Sequence, residues 1–183
     1  MGDPKKQRKK YDTPRFPWRI DTLQMELKLL GQYGLRNKRE LWRHKTMLSK
    51  LRSIARSLLG MPMSQRRKLE AQLVSRLQRL GILSKKAVLD EVLDLTLEDI
   101  LERRLQTLVF RKALAKSVHQ ARQLITHGHI AIEGKRFSSP SYLVLRDEEP
   151  KVAYASTSPL STSDHPLRES ISLTTETPKR RTA

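Results

Sequence analysis

Two histidines, His127 and His129, are the residues whose type and spacing come closest to a metal-binding or catalytic pair. Imidazole is a common metal ligand, but such a site needs three or four ligands, and no further ligand of suitable type lies nearby. The sequence contains no cysteine, so thiolate ligands, thiol nucleophiles and disulfides are excluded as well. We therefore predict no metal and no cofactor, and expect these imidazoles to contact phosphates or bases instead.

The carboxylates offer no catalytic pair either. Those in the predicted helices occupy polar positions and have no partner in a segment that could form a cleft: Glu26, Glu40, Glu70, Asp90, Glu91, Asp94, Glu98 and Asp99. All seven glycines stand singly at predicted helix ends or turns, so there is no glycine-rich loop of the kind that binds phosphate. We predict that the chain is not an enzyme.

The strongest functional signal lies between residues 102 and 144. Apolar residues at helical spacing, such as Leu105, Leu108, Ala121 and Leu124, predict two packed helices followed by a small hairpin. The polar side chains left on these helices are expected to face outward together: Arg103, Arg104, Lys112, Lys116, His119, Arg122 and Gln123. Such a face suits RNA, because A-form helices are recognised mainly through shape, phosphates and sugar hydroxyls.

The overall composition supports a polyanionic partner. The 183 residues include 37 Lys and Arg against 19 Asp and Glu, a formal net charge of +18, and only 37% are hydrophobic. This leaves little material for a large catalytic core, and nucleic acid is the commonest partner of such a charge, with a membrane surface second. No apolar run long enough to span a membrane and no secretory signal is present, so we expect a cytoplasmic location.

Four segments are predicted along the chain, in a mainly helical α+β fold. Residues 1–20 form an extended basic arm interrupted by Pro4, Pro14 and Pro17, and residues 21–101 form a helical lobe. In that lobe we expect one helix to end at Gly31, a second at Gly60, and a third to run from an N-cap at Ser64 to Gly81. Residues 102–155 form an RNA-binding domain, and residues 156–183 form a Ser/Thr/Pro-rich tail. We expect this tail to be loosely structured when the protein is not bound to a partner.

The RNA-binding domain is predicted in more detail. A capping box at Thr96 and Asp99 opens a helix that should continue through Val109, and a second box at Ser117 opens another that ends at Gly128. Alternation over 129–132, a turn at 133–134, a return strand at 135–137 and further strands at 142–144 and 151–155 predict a small antiparallel sheet.

The same residues carry a resemblance to a known family. The stretches RRLQTLV, SVHQARQLITHGHI, GKR and PSY resemble the RNA-binding domain named after small-subunit ribosomal protein S-four. The match extends to MGDPKKQRKKYDTPRFPW, YGLRNKRELWR, ARSLL and YASTSPLSTSDHPL, which are similar to the archaeal and eukaryotic cytosolic type of that ribosomal protein family. The absence of a zinc-binding cysteine cluster is usual for this type.

The resemblance implies a set of RNA-binding residues, carried over position by position. In the arm they are Lys5, Lys6, Arg8, Lys9, Lys10, Arg15, Trp18 and Arg19; in the helical lobe, Arg36, Lys38, Arg39, Arg43, Arg52 and Arg56. In the domain they are Arg103, Arg104, Gln106, Lys112, Lys116, Ser117, His119, Arg122, Gln123, His127, His129, Lys135 and Arg136. Trp42 is expected either to stack on a base or to fill the core, with the core favoured.

The resemblance also implies a function. It is that of a primary binder of small-subunit ribosomal RNA, monomeric within the ribosome, which nucleates assembly of the 5′ domain. Such a protein lies beside ribosomal protein five, lines the channel through which messenger RNA enters, and affects translational accuracy. A ribosome-biogenesis factor with the same domain is the alternative, and an RNA-modifying enzyme is disfavoured because no residues remain for a catalytic domain.

Overall fold

The computed structural model describes residues 9–84, 87–162, 165–168 and 170–171. Its helices are α1 (Ile20–Tyr33), α2 (Lys38–Leu59), α3 (Met63–Arg79), α4 (Leu89–Asp94), α5 (Leu97–Glu102), α6 (Leu105–Arg111) and α7 (Val118–Thr126). The strands are β1 (Ile130–Ile132), β2 (Lys135–Arg136) and β3 (Val152–Tyr154), and short 3-10 turns occur at Glu149–Lys151 and Pro159–Ser161. The predicted α+β, mainly helical fold class is confirmed.

Two helix ends in the lobe differ from prediction. Helix α1 runs through Gly31 and ends at Gly34, whose left-handed backbone (φ +56°) lets its N–H bond the carbonyls of the last turn. Helix α3 starts one residue before Ser64, directly after Pro62, whose restricted φ suits a helix start. The predicted ends at Gly60 and Gly81 are confirmed.

The helix predicted from Thr96 through Val109 is broken into α5 and α6. The capping box is present, with the Asp99 N–H bonding the Thr96 hydroxyl, but the helix ends at Glu102 and the chain is extended at Arg104. The backbone groups freed there bond to the segment predicted as a strand at 142–144: Leu105 N–H donates to the Tyr142 carbonyl (2.8 Å) and Val144 N–H to the Arg103 carbonyl (3.0 Å). That segment therefore pairs with the helix break, through a bridge between Arg104 and Leu143, and does not join the sheet.

The small sheet has the order β2-β1-β3 and is antiparallel throughout. Glu133 and Gly134 both have positive φ (53° and 79°), the combination that a two-residue type I′ hairpin turn requires. Helix α7 ends as predicted at Gly128, in the left-handed region, and its first turn is capped by the Ser117 hydroxyl, which accepts from the Gln120 N–H. The chain thus passes from α7 directly into β1.

Three apolar clusters support this arrangement. One lies between α6, α7 and the sheet, a second between α2, α3 and α4, and a small third, around Tyr33, Leu41 and Leu101, adjoins the second at Leu97. The expectation of a loose tail from residue 156 is wrong for its first part, because Leu160 is buried in the first cluster and Ser158 is buried beside it. Apolar residues too sparse to show periodicity can still fill a gap in a neighbouring core.

Candidate nucleic-acid interface

Most of the residues predicted to bind RNA are exposed in the structure. This group comprises Lys9, Lys10, Arg15, Trp18, Arg19, Arg36, Arg39, Arg43, Arg56, Lys116, Ser117, His119, Gln123, His127, Lys135 and Arg136. Lys38, Arg52, Arg103, Lys112, Arg122 and His129 are half-buried, whereas Arg104 and Gln106 are buried. Lys5, Lys6 and Arg8 lie outside the described residues. Outside the arm, most of the exposed set lies on two surfaces of the fold.

The first surface is a polar stripe along α7, which we call the α7 stripe: Lys116, His119, Gln123, His127 and Arg136. The four members from the α7 region follow one another at three- and four-residue intervals, so they line one side of the helix. Arg136 joins their end, because its Nε donates to the Gly128 carbonyl (3.2 Å) and its guanidinium fills the space where a side chain at 128 would lie.

The imidazoles of His127 and His129 lie nearly parallel at the end of the α7 stripe, with ring centroids 6.3 Å apart. His129 is anchored, since its Nδ1 is 2.9 Å from the Ser158 hydroxyl, while His127 is exposed. No cluster of three or more metal-ligating side chains occurs within the described ranges. The geometry fits a flat, partly cationic surface better than an ion-binding pocket.

The second surface belongs to α2. Arg39, Arg43 and Lys50 fall along one side of this helix, and Lys45, Arg52 and Arg56 along another. The guanidinium of Arg52 is partly used within the protein, because its Nη2 donates to the Leu95 carbonyl at 2.6 Å. Lys38 is paired with Glu26 (3.2 Å), whose other oxygen accepts from the Trp42 Nε1 at 2.8 Å. Trp42 is thus a half-buried link between α1 and α2.

An ionic network around the buried Arg104 ties the two surfaces together. Glu40, in the first turn of α2, accepts from Arg104 Nη2 (2.9 Å) and from Arg122 Nη2 (2.6 Å). Burial alone raises the pKa of the Glu40 carboxyl, but hydrogen bonds from Arg122 and Arg104 and their positive charges outweigh this, so the pKa is lowered. The carboxylate stays ionised and holds both guanidiniums.

The network corrects the expectation that Arg104 faces outward, and it also corrects the RNA-binding role that the resemblance implied for Gln106. Arg104 has 0% exposure, and the Gln106 amide nitrogen donates to the carbonyls of Gly34 (2.9 Å) and Val118 (3.0 Å). Neither side chain has surface left for a phosphate. The sequence pattern placed Arg104 on a continuous helix; the helix break turns it inward toward Glu40.

Arg103 and Lys112 are also held mainly by protein groups. Arg103, with a side chain 12% exposed, bonds Glu149 through Nη1 (2.7 Å) and the Val144 carbonyl through Nη2 (3.2 Å). The Lys112 ammonium donates to the Glu149 carbonyl. These cations fix the segment after the hairpin to α5 and α6, so they stabilise the domain that presents the α7 stripe.

His44 lies beside this network and is buried. Burial, with the nearby charge of Arg104, lowers its pKa to about 4, so it is neutral at physiological pH. No sequence motif indicated a role for it, and its position identifies it as a structural residue of the junction between α2 and Arg104.

Sequence reasoning also missed two exposed cations, Lys50 and Arg76. Lys50 follows Arg43 by seven residues, a spacing that places both on one side of a helix and could have drawn attention to it. Arg76 offers no such signal, because only the packing of α3 against α2 brings it near Arg43. In the described ranges, no helix combines the length and apolar character that crossing a membrane requires.

Comparisons with known proteins assign this arrangement to a class. The S4 domain family matches residues 103–149, the part that contains α6, α7, β1 and β2. The chain is therefore a protein with an S4 domain, and the α7 stripe lies within the matched residues. Relatives that match most of the chain, and not only this domain, bear on the predicted resemblance to the S-four family.

Curated relatives match most of the chain. Small ribosomal subunit protein uS4 of Ignicoccus hospitalis is 55% identical over 87% of this chain and 96% of its own length. The uS4 proteins of Hyperthermus butylicus and Saccharolobus solfataricus are 56% and 53% identical over 87% and 86% of this chain, and over 90% and 88% of their own lengths. The chain belongs to the family of small ribosomal subunit protein uS4, which confirms the predicted resemblance and the prediction that it is not an enzyme.

Proposed function

We propose that the chain is a structural constituent of the small ribosomal subunit and binds ribosomal RNA. The observation that carries this is the α7 stripe: five exposed polar and basic residues within the matched S4 domain, none of which is in an ion pair within the described residues. RNA phosphates are anions that such groups bind in A-form helices. A ribosome-associated location follows from this role, and we propose that the ribosome concerned is cytoplasmic.

More specifically, we propose that the protein is a primary binder of ribosomal RNA. In it, the arm over 1–20, the lobe over 21–101 and the domain over 102–155 neutralise phosphates where several RNA helices of the 5′ domain converge. This lowers the repulsion between those helices and favours one angle between them, which nucleates assembly. The Glu40 network supports the idea, because it fixes the helix that carries the lobe's cations to the helix that carries the α7 stripe.

The neighbours belong to the same proposal. We propose contacts with ribosomal protein five, a place along the channel through which messenger RNA enters, and an effect on translational accuracy. The protein acts as a monomer within the ribosome and needs no cofactor. Residues 156–162, the described beginning of the tail, pack on the RNA-binding domain through Leu160, and we propose that they make a fixed contact with a neighbour.

The experiment is footprinting and affinity measurement on naked small-subunit ribosomal RNA across a salt series. Lys116→Ala with Arg136→Ala should weaken binding and lower the slope of log affinity against log salt by about 0.9 for each phosphate that is no longer neutralised. Arg103→Ala is the matched control, because its charge is used inside the protein. It should leave the slope unchanged while lowering the free energy of unfolding. Diffuse protection, or a salt-independent affinity, would contradict the proposal.

A further inference from the structure

A groove lies between α1, α2 and the start of α5, and its volume is about 640 Å³. The wall that α1 provides contains no basic residue, and Met25 and Leu29 are its apolar members. The wall that α2 provides contains three cations, Lys45, Arg52 and Arg56. The groove is therefore apolar along one side and positively charged along the other.

The apolar side of the groove is open to solvent. Met25 is 68% exposed, Leu29 and Leu97 are half-buried, and Leu41 and Leu48 are buried beneath them. Apolar surface that folding leaves uncovered can mark a contact with another molecule, and the unbranched side chain of methionine adapts to a partner's shape. A partner that covers this wall has to supply apolar groups of its own.

The cations of the α2 wall are available to an anion. They follow one another at intervals of seven and four residues, which places them along one side of the helix. Lys45 and Arg56 are exposed, and neither is in an ion pair within the described part of the chain. Glu26, the one carboxylate among the described lining residues, is already bonded to Lys38 and Trp42. This wall therefore attracts a negatively charged partner.

The groove suits an acidic amphipathic helix of another protein better than RNA. Amphipathic helices bind in apolar grooves through side chains at three- and four-residue spacing, and carboxylates along one edge would meet the α2 cations. Unpaired bases are held largely by stacking on aromatic side chains, and none lines the groove among the described residues. The phosphates of an RNA duplex would meet the cations but leave Met25 in water.

Neither this chain nor a second copy of it supplies such a helix. Segments 1–8 and 172–183, which lie outside the described residues, each contain three basic residues and one acidic residue. The acidic stretch over 89–102 is used in the chain's own core, where Val92 and Ile100 are buried. A second copy would also bring its charge of +18 to a basic groove, and like charges repel.

We infer that this groove docks an acidic amphipathic helix of a neighbouring protein in the small subunit. Apolar side chains of that helix cover Met25 and Leu29, and its carboxylates pair with Lys45 and Arg56. The inference rests on the proposed function, since it names a partner within the same particle. It gives the two sides of α2 different partners, because it assigns Arg56 to a protein and leaves Arg43 to RNA.

The absence of cysteine allows a direct test in the full chain. Met25→Cys carries a benzophenone that forms a covalent adduct with whatever lies over the groove when illuminated. Gln123→Cys, on the exposed side of α7, carries the same label to the α7 stripe. Each labelled protein is reconstituted into small subunits with ribosomal RNA and the remaining proteins. The adducts are digested with ribonuclease or protease, and the attached peptides are identified by mass spectrometry.

The expected adduct from position 25 survives ribonuclease and contains a peptide with more carboxylates than cations and apolar residues at helical spacing. Position 123 should instead give an adduct with RNA. Adding Ser49→Glu, which places a carboxylate in the groove and keeps its cations, should lower the yield from position 25 at least fivefold. Ser75→Glu, on the exposed side of α3, is the matched control and should leave that yield unchanged. Yields are counted per subunit that contains the labelled protein.

The outcomes separate this inference from the proposed function. An RNA adduct from position 25, a peptide without an excess of carboxylates, or no adduct there would overturn the inference. An RNA adduct from position 123 in the same experiment would leave the proposed function standing. Failure of both labelled proteins and of the unaltered chain to enter the subunit would contradict the proposed function and the inference together.

Discussion

The guanidinium of Arg104 and the carboxylate of Glu40 are 2.9 Å apart (Nη2 to Oε2), although 64 residues separate them in the chain. Arg104 is fully buried, and its Nε and Nη1 have no hydrogen-bond partner among the described residues, so Glu40 is bonded through Nη2 alone. This pair therefore links the beginning of α2 to the break between α5 and α6. Since α2 carries the cations of the lobe, the pair sets the position of those cations relative to the α7 stripe.

Replacing Glu40 should destabilise the protein strongly. Glu40→Gln leaves the buried positive charge of Arg104 and the half-buried charge of Arg122 without a carboxylate, which should lower the free energy of unfolding by about 3–5 kcal/mol. Urea unfolding followed by circular dichroism measures the change. Glu70→Gln is the matched control, because its pair with Arg66 lies along one side of α3 and should contribute less than about 0.5 kcal/mol. Equal losses in the two variants would contradict the assignment.

Stability should depend on pH through His44. Its pKa falls from 6.5 in the unfolded chain to about 4 in the folded protein, so between these values the unfolded chain binds the extra proton. The free energy of unfolding should therefore be largest above pH 6.5 and decrease as the pH falls, by about 1.5 kcal/mol between pH 6.5 and 5. His44→Gln should remove that part of the slope.

The matched control for the pH series is His119→Gln, which alters an exposed histidine on α7. Its unfolding free energy should follow that of the unaltered protein at each pH. A slope that survives in the His44 variant but disappears in the His119 variant would refute the assignment to His44.

Two glycines three residues apart should respond to alanine with opposite signs. Gly34 has φ +56°, and a Cβ there would lie 2.8 Å from Val118 Cγ1 and 2.9 Å from the Gln106 amide nitrogen. Gly34→Ala should lower the free energy of unfolding by about 2–4 kcal/mol, through backbone strain and displacement of Gln106.

Gly31 lies within α1, and apart from its chain neighbours and the backbone of its own helix, no described atom lies within 4 Å of the position that a Cβ would take. Gly31→Ala should raise the free energy of unfolding by about 0.5–1 kcal/mol, because alanine has the higher helix propensity. Thermal unfolding of both variants measures the difference. Destabilisation by Gly31→Ala as large as that by Gly34→Ala would indicate that α1 ends at Gly31 after all.

The beginning of the tail should contribute to stability. Leu160 is 3% exposed within the core around α7 and the sheet, whereas Leu167 is 45% exposed. Leu160→Ala should lower the free energy of unfolding by about 2–4 kcal/mol, because it removes buried apolar surface and leaves a cavity behind. Leu167→Ala should change it by less than about 0.5 kcal/mol. Similar small effects would show that residues 156–162 do not pack on the domain.

Local sequence signals identified the elements of the fold correctly where the deciding interactions are local. The capping residues Thr96 and Ser117, the left-handed Gly81 and Gly128, and the turn at Glu133 and Gly134 each act within a few residues, so spacing reveals them. The same holds for the family, because its motifs are stretches of neighbouring residues. Net charge identified a polyanionic partner without any structure.

The errors in the RNA-binding domain and in the tail share one physical cause, which is competition from distant groups. The helix expected through Val109 breaks because residues 142–144 bond its freed backbone, and the expected strand at 142–144 is lost to the same pairing. Leu160 is buried because a distant core has room for it, although its own segment shows no periodicity.

The amino-acid sequence by itself determined the class of fold, the helix caps at Thr96 and Ser117, the hairpin turn and the family, since these depend on short-range chemistry. Only the tertiary structure decided which cations remain free for RNA. Arg104 and Lys50 are both basic residues in a basic chain, but Arg104 lies against Glu40, and Lys50 faces a cleft whose described lining has no carboxylate. A cation's availability depends on whether folding brings an anion to it, and residues far apart in the chain settle that.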